Sequence, residues 1–143
     1  MNKGNSTTAG WIIIALILCQ FVPLNRINPP STTPSAIPAD VRSVLAAHCY
    51  RCHSNETKWP VSAYIAPLSW IVVREVHKAR NAMNLSNYRD SPPAVRSAVA
   101  KAIRKISESG NLSRHAGIPG FPQIRITGQE RRTLLEWASD KQL

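Results

Sequence analysis

Residues 48–53 read His-Cys-Tyr-Arg-Cys-His, which packs two thiols and two imidazoles into one short stretch. Three chemistries use thiols at this spacing. In a zinc site Cys49 and Cys52 supply half of a tetrahedral set, and two further ligands must come from elsewhere. His77 and His115 are the candidates, although no familiar spacing relates them. In a thioredoxin-like dithiol the pair opens a helix that follows a strand. Here it closes a helix, and no strand–helix–strand pattern surrounds it. The third chemistry is covalent haem attachment, whose Cys-x-x-Cys-His signature is present in full. Thiols at i and i+3 lie on one side of a helical turn, where each can form a thioether with one vinyl group of a single haem. His53 then projects beneath the porphyrin as the proximal iron ligand. His48 reads as a partly exposed helix residue.

The elements that must hold this motif are helical. In "DVRSVLAAHC" the apolar positions Val41, Val44, Leu45 and Cys49 form one stripe, with Asp40 placed to cap its start. The motif therefore ends a short amphipathic helix. A second helix is predicted from about Pro67 to Met83, with Pro67 tolerated in its first turn. A third is capped by Ser91, opens on Pro92 and Pro93, and carries the stripe Val95, Val99, Ala102, Ile103 and Ile106 to a stop at Gly110. "GNLSRHAGIPGFPQIRI" is a loop by its glycine and proline content. "TGQE" then pairs Thr127 with Glu130 as a capping box for a last helix that buries Leu134, Leu135 and Trp137. No strand and no internal repeat is expected, so the fold class is mostly α.

Length, charge and the leader set the bounds. The chain has 143 residues, enough for one domain, with 18 Lys and Arg against 8 Asp and Glu. A surplus of this size predicts attraction to something acidic. The aromatic residues are not interleaved with basic ones along a platform, so nucleic-acid binding is not expected. Of the three cysteines, Cys19 lies in an apolar leader, which leaves no disulfide framework outside the motif. That leader, "WIIIALILCQFVPL", spans with Ala9 and Gly10 roughly 24 Å as a helix, against a bilayer core of about 30 Å. No small-x-small cleavage site follows, so residues 1–25 read as an uncleaved transmembrane signal anchor. Residues 26–39, rich in Pro, Ser and Thr, read as an extended linker, and 40–143 as the folded domain.

The stretch "CYRCHSNETKWPVSAYIAPLSW", Cys49 to Trp70, closely resembles the haem-binding-domain family of small, membrane-anchored c-type cytochromes. "FVPLNRINPP" before it, "NLSNY" from Asn84 to Tyr88, and "TGQERRTLLEW" are similar to that family too. The resemblance implies a small cytochrome c-like haem domain of about four helices behind an N-terminal transmembrane anchor. It implies one covalent haem c on Cys49 and Cys52, with His53 as proximal iron ligand and Trp59, Pro60 and Tyr64 walling the cofactor. It further implies a single-pass protein of the bacterial inner membrane with its haem domain on the periplasmic side.

One position departs from the family pattern. Its members carry a Met-Pro step in the loop before the last helix, a natural sixth ligand; here Ile118 precedes Pro119, and Ile cannot bind iron. His115 is the expected replacement, Met83 and His77 are the other donors, and an open five-coordinate iron is the alternative. With both axial positions filled, the iron changes charge with little rearrangement. The expected function is then single-electron transfer by a monohaem cytochrome, not an enzyme, docking to an acidic redox partner or a membrane electron-transfer complex. An empty distal position would instead suit a haem-based sensor or a peroxidase-like protein.

Overall fold

The computed structural model describes residues 3–31, 36–109, 117–121 and 124–139, with side chains from residue 7 onward. Among these the chain is mostly helical and contains no strand. Its helices are α1 (Lys3–Cys19), α2 (Ala39–His48), α3 (Tyr50–His53), α4 (Leu68–Ala82), α5 (Pro93–Ser109) and α6 (Gly128–Ser139). Two 3-10 turns, Val61–Tyr64 and Leu85–Asn87, flank α4. Behind α1 there are thus five α-helices where about four were expected, because the chain breaks at Cys49 and makes the motif a helix of its own.

The leader is corrected. No described helix is long and apolar enough to cross a membrane, so neither a transmembrane anchor at 1–25 nor a single-pass inner-membrane location stands. The physical reason is visible in α1. Its first turns are the polar "KGNSTT", and the helix stops at Cys19. The apolar helical part, Ala9 to Cys19, is roughly 16 Å long, about half of a ~30 Å hydrocarbon core. The backbone closes it with tighter bonds, Gln20 N–H to Ile17 O (3.0 Å) and Phe21 N–H to Leu18 O (3.1 Å), ahead of Pro23. The Gln20 amide clasps the backbone of Ala66 in both directions: Nε2 donates to Ala66 O (3.3 Å) and Oε1 accepts from Ala66 N (3.0 Å). The described parts of 26–39 also lie along the domain. Arg26 donates to Ala63 O (3.1 Å), Asn28 to Thr57 O (2.9 Å), and Ile37 is buried in the core.

Behind the motif the predicted stripes meet. Val41, Val44 and Leu45 of α2, Val99 and Ile103 of α5, and Leu134 and Trp137 of α6 share one core with Tyr88. Tyr88 and Trp137 stack at 5.6 Å between centroids, tilted by 55°. The capping box forms as read: Thr127 N–H donates to Glu130 Oε2 (2.8 Å) and Glu130 N–H to Thr127 Oγ1 (3.3 Å). Two other caps do not. Asp40 falls in the first turn of α2, which starts after Pro38 without a side-chain cap, and the Ser91 hydroxyl donates back to Asn87 O (2.8 Å). Pro67 stands just outside α4, behind a cis Ala66–Pro67 bond. Gly110 lies outside the described residues.

Candidate functional site

At the end of α2 the chain tightens instead of unravelling. Cys49 N–H donates to Leu45 O (2.7 Å), and Cys52 and His53 N–H both donate to Cys49 O (3.2 and 2.9 Å). That single turn puts Cys49, Cys52 and His53 on one wall of an apolar cleft. The rest of the wall is almost wholly apolar: Leu45, Ile103, Ile106, Phe121, Ile126 and Leu134 among others.

The motif's three functional groups are held differently. His53 Nδ1 lies 3.2 Å from the carbonyl oxygen of Met83, at the C-terminal end of α4. A carbonyl only accepts, so this contact places the ring proton on Nδ1 and leaves the lone pair on Nε2, the tautomer that binds a metal. The thiols are free and partly buried. Burial, and then the neighbouring Cys52, pushes the Cys49 thiol up to about 12. Burial raises Cys52 as well, opposed by the charges of Arg51 and Arg80. A redox dithiol needs a lowered thiol pKa, so neutral, buried thiols weigh against that chemistry. Zinc fares no better. Among the described residues no three His, Cys, Asp or Glu side chains gather around a metal position. His77 is 2.8 Å from Asn25 O, away from the cavity wall.

The residues after the motif explain how it keeps its shape. Ser54 Oγ donates to Tyr50 O (2.6 Å) and accepts from Glu56 N (2.9 Å). Asn55 N–H donates to Ser86 Oγ (2.9 Å), and Asn84 Nδ2 to Asn55 Oδ1 (2.8 Å). Arg80, buried on α4, donates through Nε to Ser54 O and through Nη2 to Thr57 Oγ1 (2.8 Å each). "SNET" and "NLSNY" are therefore two halves of one hydrogen-bonded brace behind His53. Sequence reasoning missed Arg80, Ser54, Asn55 and Asn84 as site-building residues. The available signal was the run of Ser, Asn and Thr, the side chains that bond local backbone.

Trp59, Pro60 and Tyr64 are not part of the cavity wall. Trp59 lies against the Arg80 guanidinium, 5.6 Å from the ring centre, and Tyr64 is 57 % exposed under Arg26 at 4.8 Å. Pro60 acts at one remove. Gly120, at φ +85°, approaches so closely that a Cβ there would sit 2.8 Å from Pro60 Cβ. With the bond from Ser62 Oγ to Pro119 O (2.7 Å), this contact seats the turn whose Ile118 and Phe121 line the cavity. His115 lies outside the described residues.

Besides Arg51 at the cavity's edge, two further wall residues carry polar groups. His48 Nε2 is 3.0 Å from Glu130 Oε1, which joins the end of α2 to the start of α6. Ser107 on α5 is 1 % exposed, and its hydroxyl has no hydrogen-bond partner among the described residues. A buried polar atom without a partner is unusual in a native chain. A flat apolar ligand with a polar edge is what an oily cavity with one orphaned hydroxyl, two thiols and an oriented imidazole would suit. The site's residues fit a haem.

Among the described residues a mostly helical domain sets a Cys-x-x-Cys-His turn on an apolar cleft, an arrangement that suits a haem protein. The family model for the haem-binding domain matches residues 14–140, and the chain belongs to that family. No curated protein and no solved structure matches it.

Proposed function

We propose that the chain is a monohaem c-type cytochrome that carries single electrons. Cys49 and Cys52 hold the cofactor by thioether bonds, and His53 Nε2 binds the iron. Bound haem supplies one-electron Fe(III)/Fe(II) exchange. The protein's own part is to fix the ligand ring, keep water from the porphyrin faces with its aliphatic wall, and keep both sulfurs on one turn. What supports this reading most is the His53 Nδ1 contact with Met83 O (3.2 Å), made beside two thiols on the same apolar wall. The electron partner is an acidic protein surface, matched to a net charge of +10.

The test is production in a host able to attach haem c, followed by intact mass and a haem stain after denaturing electrophoresis. One added haem that survives denaturation is expected. A bare polypeptide mass would overturn the reading.

A second reading, an open distal iron for a sensor or peroxidase-like role, is favoured by one observation. The one imidazole on the described wall outside the motif, that of His48, is engaged by Glu130 at 3.0 Å. Rapid stoichiometric binding of carbon monoxide to the reduced protein at neutral pH would select it.

A further inference from the structure

Arg80 is the least expected charge in the molecule. It is 8 % exposed, and arginine is rarely buried to this degree without a carboxylate partner. Its donors go to neutral acceptors: Ser54 O (2.8 Å), Ile27 O (3.1 Å), Thr57 Oγ1 (2.8 Å) and Asn28 Oδ1. Among the described residues no acidic side chain forms an ion pair with it. Burying an unpaired charge is unfavourable, and holding this loop does not by itself require one, because neutral donors make the same kind of bond. What distinguishes Arg80 is its position. The carbonyl it grips through Nε belongs to Ser54, the residue directly after His53. Three residues further along the chain, Met83 O receives the His53 ring. One end of α4 thus holds the ligand's ring on one side and sets a fixed, largely buried cation behind its backbone on the other.

We infer that Arg80 is an electrostatic positioning residue that raises the reduction potential of the iron bound at His53. The inference rests on the haem reading above. A ferric site carries one more positive charge than a ferrous one, so a nearby fixed cation disfavours the ferric form. Burial keeps that effect largely beyond the reach of salt, whereas exposed Lys and Arg are screened.

The experiment is a spectroelectrochemical titration of full-length holoprotein at low and high salt for wild type, Arg80→Lys, Arg80→Gln, Asn28→Asp and Asn28→Ala. Asn28→Asp leaves the arginine and all its own bonds in place and sets a carboxylate where Asn28 Oδ1 now accepts, so it neutralises the charge. It gives up only the Asn28 Nδ2 bond to Thr57 O; Asn28→Ala removes that bond without adding charge and serves as the control. We expect Arg80→Gln and Asn28→Asp each to shift the equilibrium toward ferric iron by about tenfold, 59 mV for one electron, at both salt concentrations. Arg80→Lys should stay within about threefold of wild type. If Arg80→Gln yields no holoprotein, Asn28→Asp decides alone. A wild-type potential in Asn28→Asp, or an Arg80→Lys shift as large as that of Arg80→Gln, overturns the inference. Failure of the haem reading shows separately, as wild-type protein without covalent haem.

Discussion

In the proposed haem site, His53 illustrates how much of a ligand's placement can be set by the chain alone. Its tautomer is chosen by a main-chain oxygen at the end of another helix, and its backbone is pinned by the helical turn that carries the two sulfurs. Single removal of either thiol should therefore leave haem on the protein by the remaining thioether. In Cys49→Ala or Cys52→Ala holoprotein the pyridine haemochrome band should move to longer wavelength, because one vinyl group stays conjugated with the ring. An unshifted band in both variants would mean that neither sulfur is bonded. The distal ligand is a separate question. Ile118 lines the cavity, and His115 stands three residues before it in sequence, so His115 is the sixth ligand we propose. His115→Ala should convert a low-spin ferric spectrum to a high-spin or water-ligated one. An unchanged low-spin signature would eliminate His115 and redirect the assignment to Met83 and His77.

Among the elements, α6 is the one whose fate the sequence made plainest. The S/T-x-x-E/Q pattern of Thr127 and Glu130 is a local device, complete within four residues, and it forms as its chemistry dictates. Replacing Thr127 by Ala should lower stability by about 1 kcal/mol, read from urea unfolding. Glu130 does more than cap. Its carboxyl is held down at about 2, first by the Thr127 backbone N–H and then by His48. A carboxylate whose folded pKa lies below its unfolded value of 4.5 stabilises fully above that value and loses its contribution as the pH falls toward 2. Wild-type unfolding midpoints should thus drop more steeply than those of Glu130→Gln between pH 5 and pH 2.5. Parallel acid limbs would refute the pairing. Helical stripes such as Val99 and Ile103 were legible for the same reason as the box, since periodicity is local. The brace around Arg80 was not, because Asn28, Arg80 and Asn84 come from other segments and only the fold brings them to Ser54, Asn55 and Thr57. The leader misled in a related way. Its apolar run looked nearly long enough to span a bilayer, but apolar composition does not reveal where a helix stops, and Gln20 turns back to clasp Ala66.

On the scale of the whole molecule, charge is the property that reaches beyond the surface. A surplus of ten positive charges sets up a field that draws anions in and repels cations, and salt screens it over a Debye length of about 10 Å at 0.1 M. Arg51 is exposed and also lines the mouth of the cavity, so the field is felt where an electron would enter or leave. Oxidation of the reduced holoprotein by the anion ferricyanide should slow severalfold as ionic strength rises from about 10 mM to 300 mM, while oxidation by a cationic cobalt complex should speed up. Arg51→Glu should weaken the ferricyanide salt dependence more than Lys101→Glu, because Lys101 is exposed on α5 and is not a wall residue. Equal effects of the two variants would mean that only net charge matters. Salt dependence of the same sign for both oxidants would mean that electrons do not leave through this basic mouth. Because both reagents are small, the comparison tests steering at the cavity itself, before any partner's shape enters, and an acidic protein partner would meet the same field over a larger area.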